Sequence, residues 1–100
     1  MADELTAATF SPLVGTAFEL HVAPGEVPFA FQLDRMTQHQ PVPGAPRQQP
    51  FTLHFVGPAG DHLPQRTYSL VHPSAGVFEI FLIPRGPLAG GRQQYDAEFN

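Results

Sequence analysis

Cysteine, lysine and tryptophan are all absent from this 100-residue chain. Without cysteine there is no disulfide framework, thiolate zinc site, iron–sulfur cluster or thiol nucleophile. Without lysine there is no Schiff base and no Walker A loop. The five basic residues are all arginine, at 35, 47, 66, 85 and 92. They are scattered and do not form the stripe that displaces counterions from phosphates, which argues against nucleic acid and against docking on anionic membranes. Charged residues make up 14% of the chain, roughly half the usual share. No apolar run approaches the ~18 residues of a membrane helix, so no membrane insertion is expected. The start, Met1-Ala2-Asp3-Glu4, lacks a basic segment followed by an apolar one. It is not a secretory signal, and residence in the cytoplasm is the expectation, without excluding export as part of an assembly.

The chain is instead rich in residues that build a β core and the turns around it. Apolar residues make up 42%, with nine Phe, twelve Pro and nine Gly. This is too much Phe, Val and Leu for disorder, and too much Pro for a helical bundle. A single domain over 1–100 is expected. Residues 1–15 read as short helical turns, with Thr6 and Ser11-Pro12 as start signals and Gly15 as a stop. Leu5, Phe10, Leu13 and Val14 are expected to pack inward as a plug over one end of a barrel or sandwich.

Period-two alternation then marks a series of strands. Phe18, Leu20 and Val22 share one face against Glu19 and His21. Phe29, Phe31 and Leu33 oppose Ala30, Gln32 and Asp34 in a strand over 27–36. Phe51, Leu53 and Phe55 oppose Thr52 and His54. Residues 67–72 and 77–83 follow, and Tyr95, Ala97 and Phe99 alternate with Asp96, Glu98 and Asn100. Ala23-Pro24-Gly25-Glu26, 57–61 and 72–76 read as turns, and 84–92 as a flexible loop. The Pro-rich stretch 38–50 reads as a surface loop, because each Pro lacks a donor. The fold expected is an antiparallel β-sandwich or small barrel of six to seven short strands.

Chemistry is sparse. Five His stand at 21, 39, 54, 62 and 72, with no His-x-His or His-Glu-x-x-His spacing. Exposed or capping roles are expected, with no metal and no cofactor. Ser11, Ser69 and Ser74 sit in no nucleophile elbow, and Ser74, after His72-Pro73, reads as setting turn geometry. Asp96 and Glu98 read as an exposed solubilising face. No catalytic residues are assigned, and the chain is not expected to be an enzyme.

Segment 77–83 is apolar on both faces: Phe78, Ile80 and Leu82 on one, Val77, Phe81 and Ile83 on the other. A small core hides only one of them. The other is covered by the N-terminal turns or forms an interface. The last strand, with Tyr95, Ala97 and Phe99, reads as a free sheet edge that could pair with another chain. Val77, Phe81, Ile83, Tyr95, Ala97 and Phe99 are therefore the interface candidates, with the chain itself or another protein subunit as partner. The alternative is a small-ligand or carbohydrate-binding β module using outward His and Arg residues and the 38–50 loop.

Four stretches resemble a small bacterial family of unknown function: Phe10-Ser-Pro-Leu-Val-Gly15-Thr-Ala-Phe18, Leu63-Pro-Gln-Arg-Thr-Tyr68-Ser-Leu-Val-His-Pro73, Gly76-Val-Phe-Glu-Ile-Phe81-Leu-Ile-Pro84 and Tyr95-Asp-Ala-Glu-Phe-Asn100. The resemblance implies a stand-alone all-β protein and brings no catalytic residues. It also suggests a companion of phage-tail-collar-type fibre proteins. Together these readings lead us to expect a non-enzymatic structural or interaction protein, self-assembling or a subunit of a larger bacterial assembly.

Overall fold

The computed structural model describes residues 6–22, 25, 27–40, 44, 50–60 and 62–99. A helical turn α1 (Ala7–Phe10) runs into a 3-10 turn (Ser11–Leu13). Six strands follow: β1 (Ala17–His21), β2 (Phe29–Gln38), β3 (Phe51–Ala59), β4 (Arg66–His72), β5 (Gly76–Pro87) and β6 (Arg92–Phe99). They form a closed antiparallel barrel in the order β1-β2-β3-β6-β5-β4. Of the two architectures expected, the chain adopts the barrel. Expected residues Leu5, Ala23, Pro24, Glu26 and most of the 38–50 loop lie outside the described residues. At the base of that loop, the His39 amide donates to the Pro50 carbonyl at 2.8 Å.

The alternation read from the sequence decides which side chains enter the barrel. Phe18, Leu20, Phe31, Leu33, Phe51, Leu53, Phe55, Tyr68, Leu70, Ile80 and Leu82 are all buried in one cluster. The interior is crowded at Gly57, where a methyl group would lie 2.7 Å from Cζ of Phe31. That ring in turn lies 5.0 Å from the Tyr95 ring.

Both ends of the barrel are closed. At one end α1 inserts Phe10, whose ring lies 5.1 Å from Phe78, 5.8 Å from Phe99 and 6.1 Å from Phe51. The N-terminal turns are thus the expected plug, although Val14 points outward and is exposed. At the opposite end the chain between β3 and β4 is strapped down by the two tyrosines. The Leu63 amide donates to the Tyr95 hydroxyl at 2.8 Å, and the Tyr68 hydroxyl donates to the Pro64 carbonyl at 2.6 Å.

Three expectations are corrected. First, β6 is not a free edge: it pairs with β3 along its length and with β5 at Gln93–Asp96. Second, the expected loop 84–92 shrinks to Leu88–Gly91, because β5 continues to Pro87. The strand tolerates Pro84 and Pro87 because its register slips between Pro84 and Gly86, a bulge at which ladder bonding is interrupted. Third, the expected turn at Gly57-Pro58-Ala59 is strand, with Pro58 at the register shift between Gly57 and Ala59.

β5 is long because it serves two neighbours. Its first half, Gly76–Leu82, pairs with β4, and its second half, Ile83–Pro87, pairs with β6. Phe78 on the first half and Phe99 on β6 flank the place where those ladders part. Phe10 touches both rings, so the helical turn fills the gap.

Candidate functional site

Barrel closure leaves only the outer wall and the two ends as surfaces. On the wall, β5 presents Val77, Glu79, Phe81 and Ile83, while Phe78, Ile80 and Leu82 face the core. Val77 is 64% exposed and Phe81 48%, and Ile83 is half-buried. Across the ladder, Val71 stands opposite Val77 and Thr67 opposite Phe81. The N-terminal turns close the barrel end and leave this face open. The expected division of residues between the two faces of 77–83 therefore holds, and among the described residues none covers the face with Val77 and Phe81.

The other half of the interface candidates lies elsewhere. Tyr95 and Ala97 are 2% and 1% exposed, and Phe99 stacks on Phe51 at 4.6 Å with the planes 7° apart. Their alternation reflects an inward face of a paired strand, not an edge seeking a partner. The sequence could not distinguish these, because a buried face reads identically whether the strand beside it belongs to the same chain or another.

A polar network missed by the sequence reading spans the outer wall over β2, β3, β6 and β5. His54 Nδ1 is 2.9 Å from Asp96 Oδ1, and His54 Nε2 is 2.8 Å from Thr37 Oγ1. Asp96 also accepts from Gln94 Nε2 at 3.2 Å and Arg85 Nε at 3.1 Å, and Arg85 Nη2 donates to Glu98 at 3.0 Å. Beside it His39 Nε2 lies 2.8 Å from Thr52 Oγ1. Asp96 is therefore buried and not part of a solvated acidic face, while Glu98 keeps its exposed position. Burial alone would raise the Asp96 carboxyl, but hydrogen bonds from His54, Gln94 and Arg85 outweigh it and hold the group below its ordinary value. With Asp96 ionised, it can only accept. His54 Nδ1 therefore carries the proton, and in the neutral imidazole Nε2 accepts from Thr37.

Thr37, His54 and Asp96 thus stand at the spacings of a nucleophile, base and orienting acid. Two further features tie them into the barrel wall. The Arg85 guanidinium already neutralises the Asp96 charge that would support an imidazolium. Each member also bonds across the β2–β3 or β3–β6 ladder, where Arg35 pairs with His54 and His54 with Asp96. The network ties the strands whose apolar faces meet inside.

The remaining histidines are apart. His72 Nδ1 accepts from the amides of Ser74 and Ala75, each at 3.1 Å. Nε2 then carries the proton and donates to Thr16 Oγ1 at 3.1 Å, whose own hydroxyl donates to the Leu13 carbonyl. This fixes the β4–β5 turn, as the His72-Pro73-Ser74 sequence suggested, and fastens it to the plug. His21 lies 3.5 Å from Glu19 on β1, separated from His54 by the intervening β2. Among the described residues, no group of three or more His, Asp or Glu could hold a metal ion, and no helix is long and apolar enough to cross a membrane.

These features define a small closed antiparallel barrel with an apolar strip on its β5 wall. The chain belongs to a domain family of unknown function, DUF6916, whose model matches residues 5–99. No curated protein and no solved structure matches it.

Proposed function

We propose that this protein is a non-enzymatic interaction module that docks onto another protein surface through the outer face of β5. The observation that carries this reading is the exposure of Val77 and Phe81 beside the half-buried Val71 and Ile83 on the outer wall. A Phe ring left half in water forfeits much of the roughly 1.5–3 kcal/mol its burial is worth. An apolar strip rimmed by polar residues is the usual mark of a protein contact. The suggested resemblance to companions of tail-fibre proteins extends the proposal to a structural subunit of a larger, phage-tail-fibre-like assembly.

The test is the size of the tagged chain in extracts of its source cell. The wild type should elute well above its 10.9 kDa mass, and Phe81→Glu should elute as a folded monomer with an unchanged melting temperature. If Phe81→Glu unfolds, Phe81 belongs to the monomer core. If it elutes with the wild type, the face is not an interface. Either result overturns the reading.

A further inference from the structure

Resting on that docking reading, we infer that the partner on the β5 face is a basic protein segment, which sets an arginine or lysine side chain between two apolar ones. The place of Glu79 carries this. On the outward face of β5 it lies between Val77 and Phe81, so a surface that covers those two side chains covers its carboxylate as well. A carboxylate taken out of water without a counter-charge is strongly unfavourable. Among the described residues no base is bonded to Glu79; its partner is the Ser69 hydroxyl on β4, which donates to Oε2. A hydroxyl orients the carboxylate without neutralising it. The cation is left for the partner to supply.

The surroundings have the same sign. On one flank Glu19 shares a row with Val71 and Val77, and is exposed with His21 3.5 Å away. On the other, Ile83 stands opposite Asp96, and Arg85 is bonded to both Asp96 and Glu98 on β6. Glu19, Glu79, Asp96 and Glu98 thus flank the strip against one guanidinium, which two of them already hold. The other described arginines are not on the strip. Arg35 is on β2, Arg66 lies over the Tyr68 ring opposite the inward Leu82, and Arg92 stands opposite Ala59 at the start of β6.

This excess of carboxylates selects among occupants. A second copy would bring the same carboxylates to the contact, since an isologous interface sets one patch against itself. Nucleic acid and anionic lipid carry the same sign as the strip's rim. A basic surface is attracted, which speeds encounter and fixes register. Alternate residues of an extended segment share a face. An apolar, a basic and an apolar residue at i, i+2 and i+4 therefore match the spacing of Val77, Glu79 and Phe81.

The test uses the isotope-labelled full chain and an extended peptide with Leu, Arg and Leu at alternate positions, separated by Thr. One control peptide carries Glu in place of Arg, and another carries Ser in place of both Leu. Amide resonances over 67–71 and 77–83 should move with the first peptide and stay with the two controls. Glu79→Gln should weaken that binding about tenfold or more, and Glu19→Gln, at the rim, about two- to fivefold. Raising salt from about 0.1 to 1 M, which cuts the screening length from roughly 10 to 3 Å, should weaken it too. Both substitutions fall at exposed positions. Circular dichroism reports the fold of each variant, and the exchange of Arg for Glu in the peptide tests the charge on the unaltered chain. Absence of shifts with the Arg peptide, equal binding of the Glu peptide, shifts centred elsewhere, indifference to Glu79→Gln and salt, or dimerisation of the purified chain through this face would overturn the basic-partner assignment. In extracts, a large species lost in Phe81→Glu and kept in Glu79→Gln leaves docking standing and the basic partner refuted. If Phe81→Glu leaves that species unchanged, both fail.

Discussion

Asp96 sits where four side chains meet, and its charge is the reason they do. His54, Gln94 and Arg85 all donate to one carboxylate, so its protonation removes the common acceptor. Its carboxyl is lowered in the folded protein relative to the ordinary 3.8. The stabilisation is therefore fully present above that ordinary value and is lost as pH falls through the lower, folded one. Asp96→Asn should cost about 2 kcal/mol near neutrality, the scale of hydrogen bonds to a charged group. The gap between variant and wild type should close at low pH, and urea midpoints measured from pH 7 downward check this. The sequence reading placed Asp96 in solvent because the residues that bury it are remote. Thr37 and His54 are 17 positions apart and His54 and Asp96 are 42 apart, and local periodicity carries no information across such distances.

At the scale of elements, α1 has only four residues, too short to be stable by itself. It persists because Phe10 is fully buried among Phe51, Phe78 and Phe99. Phe10→Ala should cost about 3–5 kcal/mol and loosen both the helical turn and the first half of β5, measurable as lost amide protection at Ala7–Leu13 and Gly76–Leu82. This element was legible in the sequence: a helical start signal, one large aromatic and a stop glycine describe a plug. The strand faces were legible too, since barrel interiors demand period two. The continuation of β5 through Pro84 and Pro87 was not, because a bulge that accommodates proline leaves the same letters as a loop. Nor was the covering of β3, whose Thr52, His54 and Val56 point away from the core and are nonetheless buried. Alternating polar residues look solvated until the side chains that reach them from neighbouring strands are known. Of the candidate surface, Val77, Phe81 and Ile83 could be found because a doubly apolar strand is unusual. Tyr95, Ala97 and Phe99 could not be separated from core.

For the molecule as a whole, closure depends on contacts between distant segments. β3 pairs with β6 and β1 with β4, so long loops must be ordered before the barrel's stabilising contacts appear. Refolding should accordingly fall in the millisecond-to-second range of non-local β topologies, and stopped-flow dilution from denaturant checks it. A microsecond phase carrying the full amplitude would contradict this topology.

The placement of the two tyrosines gives the protein a reporter with a sense of direction. With no tryptophan, its near-ultraviolet emission comes chiefly from Tyr68 and Tyr95, and both belong to the strap at Leu63–Pro64. The end sealed by Phe10 carries only phenylalanines, which are nearly silent beside a phenol. Tyrosine emission during unfolding therefore times the release of one lid, while far-ultraviolet dichroism times the staves. Any lag between the two signals is the interval for which the barrel stands open at a single end.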